Sequence, residues 1–157
     1  MPTRILILAI ATALCSAAIA GVAREVKLSR ASDNPPELAP ANNFTGVVTV
    51  ESRFRGEAPA RMSGAVVTFE RGARTNWHTH PLGQTLIVTQ GSGWVQRWGG
   101  SREEINVGDV VWIPADTKHW HGASESTAMR HVAIAEALDG DTVRWMEKVS
   151  DAEYRTK

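Results

Sequence analysis

The stretch that decides the fold is GARTNWHTHPLGQTLIVTQG, residues 72–91. It contains two histidines, His78 and His80, separated by one residue. Side chains at positions i and i+2 of a β-strand point to the same face, so both imidazoles are expected on one face and Trp77 on the other. Because neutral imidazole is a frequent metal ligand, this spacing predicts a metal site, although two surface histidines would give the same pattern.

A second stretch, GDVVWIPADTKHWHGA at residues 108–123, repeats the arrangement with His119 and His121 on either side of Trp120. The fifth histidine, His131, begins a later apolar segment. By the same alternation, Trp120 is expected to point away from a metal and to pack in the core or at an interface. The histidines therefore predict one shared site on inward strand faces.

Short segments rich in β-branched residues recur from Phe44 onward, and glycines and prolines separate them. This pattern predicts an all-β barrel or sandwich. A turn is expected at residues 91–93, and only residues 142–147 and 151–156 look helical. The expected strands are 47–50, 65–69, 77–80, 85–89, 94–97, 110–113 and 131–135.

The N-terminus is predicted to be a secretory signal peptide, residues 1–20. Arg4 precedes an apolar run, and small residues at Ala18 and Ala20 form a cleavage site. Cleavage after Ala23 is the second possibility, and an uncleaved membrane anchor is the alternative, although the run is short for a span of about 20 residues. We expect a periplasmic or secreted protein with no stable membrane insertion after cleavage.

The 157 residues suit a single domain. Residues 21–43, polar and proline-rich, are expected to form a linker or arm before a domain at 44–157. The 17 Lys and Arg balance 17 Asp and Glu, which excludes a nucleic-acid partner because phosphate binding needs a basic face. The single cysteine, Cys15, cannot form an intrachain disulfide and leaves with the signal peptide, which suits an oxidising compartment.

Together the two histidine stretches resemble the signature motifs of the cupin superfamily, over roughly residues 44–136. The resemblance implies a small double-stranded β-barrel, jelly-roll-like, with a metal at its centre and a short helical segment at the C-terminus of this chain. The matching positions are Gly72, His78, His80, Gln84 and Gly91 in the first motif and Gly108, Pro114 and His119 in the second. The implied metal ligands are His78, His80, Gln84 and His119.

Three positions depart from the usual cupin pattern. Most cupins carry Glu where this chain has Gln84, and Gly and Asn where it has Asp116 and Ala123. Three imidazoles and one amide oxygen are all neutral, so a divalent ion would keep its full charge, which favours Lewis-acid chemistry. Nitrogen and oxygen ligands do not by themselves choose among Mn²⁺, Fe²⁺, Zn²⁺ and Ni²⁺.

A narrower resemblance is to the bacterial cupin hydroxynitrile lyases, manganese-dependent enzymes that cleave (R)-mandelonitrile to benzaldehyde and cyanide. It rests on residues 72–89, 108–112, 118–122 and 138–149. It implies Mn²⁺ in the site and His121 beside the metal as the acid or base. The further residues that it implies are Thr75 and His131 as polar groups in the pocket, and Ala65, Val67 and Ala135 as its lining.

Each of these roles has a structural alternative. His121 could be a fifth ligand or a residue behind the ligands, and His131 a packed barrel histidine. Thr75 could be a plain strand hydroxyl, and Gln84 an ordinary turn residue. Ala135 is apolar where relatives tend to carry a polar side chain, which changes the polarity of the pocket.

Two further functions remain open from the sequence. One is an iron- or nickel-dependent cupin dioxygenase, against which Gln84 argues because a carboxylate would better stabilise a higher oxidation state. The other is a non-enzymatic cupin that binds a metal and a small ligand. A small-molecule substrate is the expected partner, and strand edges and apolar faces predict a homodimer or a homotetramer.

Overall fold

A computed structural model describes residues 25–156, so the predicted signal peptide at 1–20 lies outside the described residues. The part of the chain that is described consists mainly of strands. They are β1 (Glu37–Leu38), β2 (Phe44–Thr45), β3 (Val48–Arg55), β4 (Met62–Phe69), β5 (Arg74–Thr75), β6 (His78–Thr79), β7 (Gln84–Arg97), β8 (Arg102–Asn106), β9 (Val110–Ile113), β10 (His119–Ala123), β11 (Met129–Glu136) and β12 (Arg144–Trp145). A 3-10 helix (Ala31–Asp33) precedes β1, and α1 (Asp151–Arg155) follows β12.

Two antiparallel sheets share the long strand β7. Its first half pairs with β11 and β9, and its second half pairs with β10 and β8. Neighbouring strands are hydrogen-bonded in the order β1-β3-β4-β11-β7-β10-β5-β2, and the sheet is curled. Off this path, β12 pairs with β6, and β6 pairs with β10. This arrangement is a double-stranded β-barrel, and the predicted all-β fold is confirmed.

The turn expected at residues 91–93 is a wrong prediction, because β7 runs through these residues without a break. The chain does not reverse there but bends at Gly91, with φ +69°, and continues as one strand into the second sheet. Close to this bend, a bulge in β7 with Thr89 as the extra residue shifts the pairing with β11 between Arg130 and His131. Glycine is required because a Cβ at position 91 would lie 1.8 Å from the carbonyl oxygen of Ala128.

The helix expected at residues 142–147 is also a wrong prediction. Residues Arg144 and Trp145 form β12, which pairs antiparallel with β6. The Trp145 ring lies 5.4 Å from the Phe44 ring and 4.9 Å from the His78 ring, between centroids. Pairing and aromatic packing therefore outweigh the local preference for a helix.

The second expected helix is present as α1, which begins after Ser150. The Ser150 hydroxyl accepts from the Glu153 N–H, and the Glu153 carboxylate accepts from the Ser150 N–H, a capping box. No helix in residues 25–156 is long and apolar enough to cross a membrane.

Within the arm predicted at 21–43, strand pairing and hydrogen bonds tie the described part of the chain to the barrel. Strand β1 pairs with β3, and the Asn76 side-chain amide donates to the Asn42 carbonyl oxygen over 2.8 Å. The part of the arm that the structure describes is therefore held against the sheet edge.

The barrel strands separate two apolar clusters. One cluster includes Val67, Phe69 and Met129 and lies inside the barrel. The other packs Trp77 and Trp120 against Tyr154 of α1. This confirms the prediction that the two tryptophans point away from the histidine face, and it leaves the interior face of β6 and β10 to the histidines.

Candidate metal centre

Three histidines form a buried cluster inside the barrel. His78 on β6 lies directly opposite His119 on β10 in the antiparallel register, and their ring centroids are 4.1 Å apart. His80 follows β6, with its ring centroid 5.1 Å from that of His78. One ligand nitrogen from each of the three lies within 4.8 Å of the others. The structure thus brings together the histidines that the cupin resemblance implies as ligands.

Each of these rings uses Nδ1 to hydrogen-bond a backbone carbonyl oxygen. The His78 ring pairs with Asn76 over 3.0 Å, His80 with Thr142 over 2.6 Å and His119 with Thr117 over 2.8 Å. A carbonyl oxygen only accepts, so each Nδ1 must carry the proton. The Nε2 atoms of the neutral rings are then unprotonated and available to a metal, and the carbonyls fix the ring orientations.

Gln84, the first residue of β7, completes the set. Its Oε1 lies 3.2 Å from the Nε2 of His119. With the His119 proton on Nδ1, two acceptors face each other across this distance, an unfavourable contact that a cation between them would relieve. The Nε2 of His80 is also buried and has no hydrogen-bond partner within residues 25–156. The three imidazoles and the amide oxygen therefore fit a divalent cation.

Burial keeps these imidazoles neutral. Loss of solvation lowers the pKa of His119 to about 4, and it lowers the pKa of His80 as well. The pKa of His78 falls well below its usual range because of burial and the neighbouring His119 and His80. Near neutral pH all three rings are consequently in the form that binds metals.

His121 and His131 stand beside the cluster, their ring centroids 5.0 Å apart. The His121 ring centroid lies 5.3 Å from that of His78. Both ring nitrogens of both residues are buried without a hydrogen-bond partner within residues 25–156. Burial lowers the pKa of His131 to about 4, and burial together with the other histidines lowers the pKa of His121 well below its usual range. Two neutral imidazoles thus offer unused donors and acceptors to a bound molecule.

Thr75 is buried next to His121. Its Oγ1 accepts from the backbone N–H of His121 over 3.2 Å. The hydroxyl group keeps its own proton as a donor. Thr75 therefore fixes the strand that carries His121 and can donate to a molecule in the same cavity.

Most of these side chains line an inner cavity of about 150 Å³. It contains Thr75, His78, His80, Gln84, His121, His131 and Val67 from the expected set. His119 belongs to the cluster but is not among the residues that line this cavity. Phe44, Phe69 and Trp145 supply an apolar wall, so the cavity combines a polar metal-binding side with an aromatic side.

Ala65 and Ala135 lie in an adjoining outer cavity of about 470 Å³. Gln84, Ala133 and Thr142 line both cavities, so the two are neighbours. Ala133 was not predicted to line the pocket, although alternation from His131 through Ala133 to Ala135 would have found it. Phe44, Thr142 and Trp145 were not predicted either, because they come from distant segments that carry no spacing signal.

Asp116 and Ala123, the two departures in the second motif, are accommodated by the structure. Asp116 has φ +55°, in the left-handed region where glycine is the common choice and Asp is tolerated. Ala123 is buried, and its carbonyl oxygen accepts from the Tyr154 hydroxyl over 2.8 Å.

Comparison with known proteins supports this assignment. The cupin domain family model matches residues 65–135. (R)-Mandelonitrile lyase from Granulicella tundricola is 55% identical over 130 residues, which cover 83% of this chain and 99% of that protein.

Solved structures show the same barrel. The crystal structure of a cupin-like protein from Thermotoga maritima superposes with a TM-score of 0.71 at 34% identity, covering 83% of this chain and 96% of that one. The polyketide cyclase RemF from Streptomyces resistomycificus, at 18% identity, shares the fold with a TM-score of 0.64 over 83% of this chain and 91% of that one. With its barrel, its motif spacing and its histidine cluster, the chain belongs to the cupin domain family.

Proposed function

We propose that this cupin is a metal-dependent hydroxynitrile lyase that cleaves (R)-cyanohydrins such as mandelonitrile to an aldehyde and cyanide. The observation that carries the proposal is the 55% identity to (R)-mandelonitrile lyase over 99% of that protein's length. The inner cavity supports it, because a base, a hydroxyl donor and an aromatic wall surround the same space.

His121 is the proposed acid and base. Its neutral ring has an unprotonated nitrogen and no competing hydrogen bond within residues 25–156, so it can take the proton of the cyanohydrin hydroxyl. The C–O bond then becomes a carbonyl while the carbon–carbon bond breaks, and its electron pair leaves with cyanide. Protonated His121 returns the proton to cyanide, which leaves as hydrogen cyanide, and the imidazole is neutral again.

Thr75 and His131 are the proposed orienting groups. The Thr75 hydroxyl proton can hydrogen-bond the substrate oxygen, since Oγ1 already accepts from the His121 N–H. His131 has two ring nitrogens without partners within residues 25–156, so it can hydrogen-bond the nitrile. The aromatic ring of mandelonitrile would pack against Phe44, Phe69 and Trp145 in the same cavity.

The proposed metal is Mn²⁺, held by His78, His80, Gln84 and His119. A divalent ion at this site supplies Lewis acidity, which makes a nearby hydroxyl proton easier to remove. Fe²⁺, Zn²⁺ and Ni²⁺ are compatible with the same nitrogen and oxygen donors. The choice of Mn²⁺ rests on the narrower family resemblance.

The decisive experiment measures benzaldehyde released from (R)-mandelonitrile, above the spontaneous rate, by purified protein reconstituted with Mn²⁺. We expect release that disappears with a chelator and returns when the metal is restored. Absence of release from protein that is shown to contain metal would contradict the proposal. An oxygen-uptake assay on the same sample would then test the dioxygenase alternative.

We also propose export to the periplasm or the medium, and a homodimer or homotetramer in solution. The apolar N-terminal run at residues 5–20 supports the first proposal. Exposed apolar side chains on β9, Val110 and Trp112, support the second.

A further inference from the structure

The outer cavity is positively charged at its wall. Arg53 and Arg55 of β3 line it together with Ser63, Ala65, Ala133 and Ala135. No Asp or Glu from residues 25–156 lines it. Arg53 is paired with Glu37, so Arg55 is the side chain of this wall whose charge favours an anionic ligand.

A β-bulge directs Arg55 into this cavity. Val50 pairs with Val67 and Glu51 with Val66, but after the bulge Phe54 pairs with Gly64 and Arg55 with Ser63. Ser52 and Arg53 together oppose one residue of β4, and Ser52 has φ +48°. One extra residue in β3 reverses the alternation of its side chains.

The reversal changes which side chain faces inward. Without the bulge, alternation from Val50 would turn Phe54 inward and Arg55 outward. With the bulge, Arg55 lies on the same face of the sheet as Ser63. Alternation along β4 places Val67, which lines the inner cavity, on that face too. The bulge therefore places the exposed Arg55 side chain on the face of Ser63 at the open rim of the outer cavity, which Phe54 lines as well.

The guanidinium of Arg55 is available for a ligand. Within residues 25–156 it forms no ion pair, whereas Arg53 pairs with Glu37 over 2.9 Å. Glu136 follows Ala135 on β11 and is therefore on the opposite face, where Arg61 pairs with it over 3.4 Å. Both of these carboxylates are thus already engaged with other arginines.

We propose that Arg55 binds a carboxylate at the end of the substrate away from the reacting carbon, so that anionic aldehydes and their cyanohydrins are the preferred substrates. This inference rests on the proposed lyase function. Gln84, Ala133 and Thr142 line both cavities, so a molecule can react in the inner cavity and extend between small alanine side chains to Arg55. A guanidinium and a carboxylate form a two-pronged, charge-assisted contact.

The test compares the cyanohydrins of para-carboxybenzaldehyde and of its methyl ester, which differ in charge at the far end. At low salt we expect kcat/KM to favour the carboxylate about fivefold, the size of a partly exposed ion pair. Arg55→Gln should abolish the preference and Arg55→Glu should reverse it. Arg71→Gln is the matched control, because Arg71 is exposed in the turn beyond the other end of β4 and its loss changes net charge equally.

Calorimetric binding of the two product aldehydes to the metal-containing protein separates this inference from the lyase proposal. If no cyanohydrin is cleaved but the carboxylate still binds more tightly through Arg55, the lyase proposal fails and the anion site stands. Cleavage without any preference for the carboxylate overturns the anion site alone. A preference that persists in Arg55→Gln also overturns it.

Discussion

Each clustered histidine divides its two ring nitrogens between two tasks. Nδ1 donates to a backbone carbonyl of Asn76, Thr142 or Thr117, and Nε2 is left for a metal. His121 and His131 differ because neither ring nitrogen has a partner within residues 25–156. An unused buried polar atom costs free energy, and a bound substrate would recover that cost. This contrast separates the proposed ligands from the proposed acid–base group.

Replacement of His121 by alanine tests this division. His121→Ala should retain the metal, because the three clustered histidines and Gln84 are unchanged, and it should lower turnover of mandelonitrile by about 10²–10⁴-fold, the usual contribution of a general base. Elemental analysis and kcat are measured on the same sample. His119→Ala is the comparison and should lose both metal and turnover. Full turnover in metal-containing His121→Ala would remove His121 from the mechanism.

At the scale of elements, β7 joins the two sheets and both halves of the site. Its first residue, Gln84, faces the histidine cluster. Its second half pairs with β10, which carries His119 and His121. The bend at Gly91 lets one continuous strand serve both sheets. Disturbing that bend should therefore disturb the whole barrel.

Two glycine substitutions test the bend against backbone strain alone. Gly99 has φ +71°, and no heavy atom lies within 4 Å of the place that a methyl group would take, so Gly99→Ala should cost about 1–2 kcal/mol. Gly91→Ala adds the contact with the Ala128 carbonyl oxygen and should cost roughly 1–3 kcal/mol more. Urea unfolding of the metal-containing protein measures both. An equal loss of unfolding free energy in the two variants would show that the contact with Ala128 does not contribute to the cost.

At the scale of the whole molecule, the barrel buries all five histidines of the chain. Burial disfavours their cations, so folding excludes protons that the unfolded chain would bind. Stability therefore falls as the pH drops from the unfolded pKa, about 6.5, toward the lower pKa of the folded state. Above that window the unfolded chain no longer binds these protons and the dependence vanishes.

His131 allows a direct measurement, because its folded pKa is lowered to about 4 and it is not a proposed ligand. In metal-free protein, His131 should lower the free energy of unfolding by about 1.4 kcal/mol for each unit by which the pH falls between its unfolded and folded pKa values. His131→Gln should make that slope shallower by the same amount, with no change in slope above neutral pH. Urea unfolding across this range checks the prediction, and an identical slope in both proteins would contradict it.

Much of the metal site could be predicted from spacing. Alternation along a strand predicted that His78 and His80 share one face, that His119 and His121 share one face, and that Trp77 and Trp120 point to the other side. The structure confirms each of these placements. The turn at 91–93 and the helix at 142–147 were wrong. In both cases long-range pairing, with β10 and with β6, outweighed local glycine content and helix preference.

By itself, the sequence determined an all-β fold and the set of histidines, and the resemblance of its motifs to those of cupins implied the barrel, because strand alternation and motif spacing are local properties of the chain. Only the tertiary structure decided that Phe44, Thr142 and Trp145 share the cavity with them, and that a bulge in β3 brings Arg55 to the rim of the outer cavity. These residues are far apart in sequence or depend on a single inserted residue. Their positions follow from sheet closure and from packing, which no local pattern records.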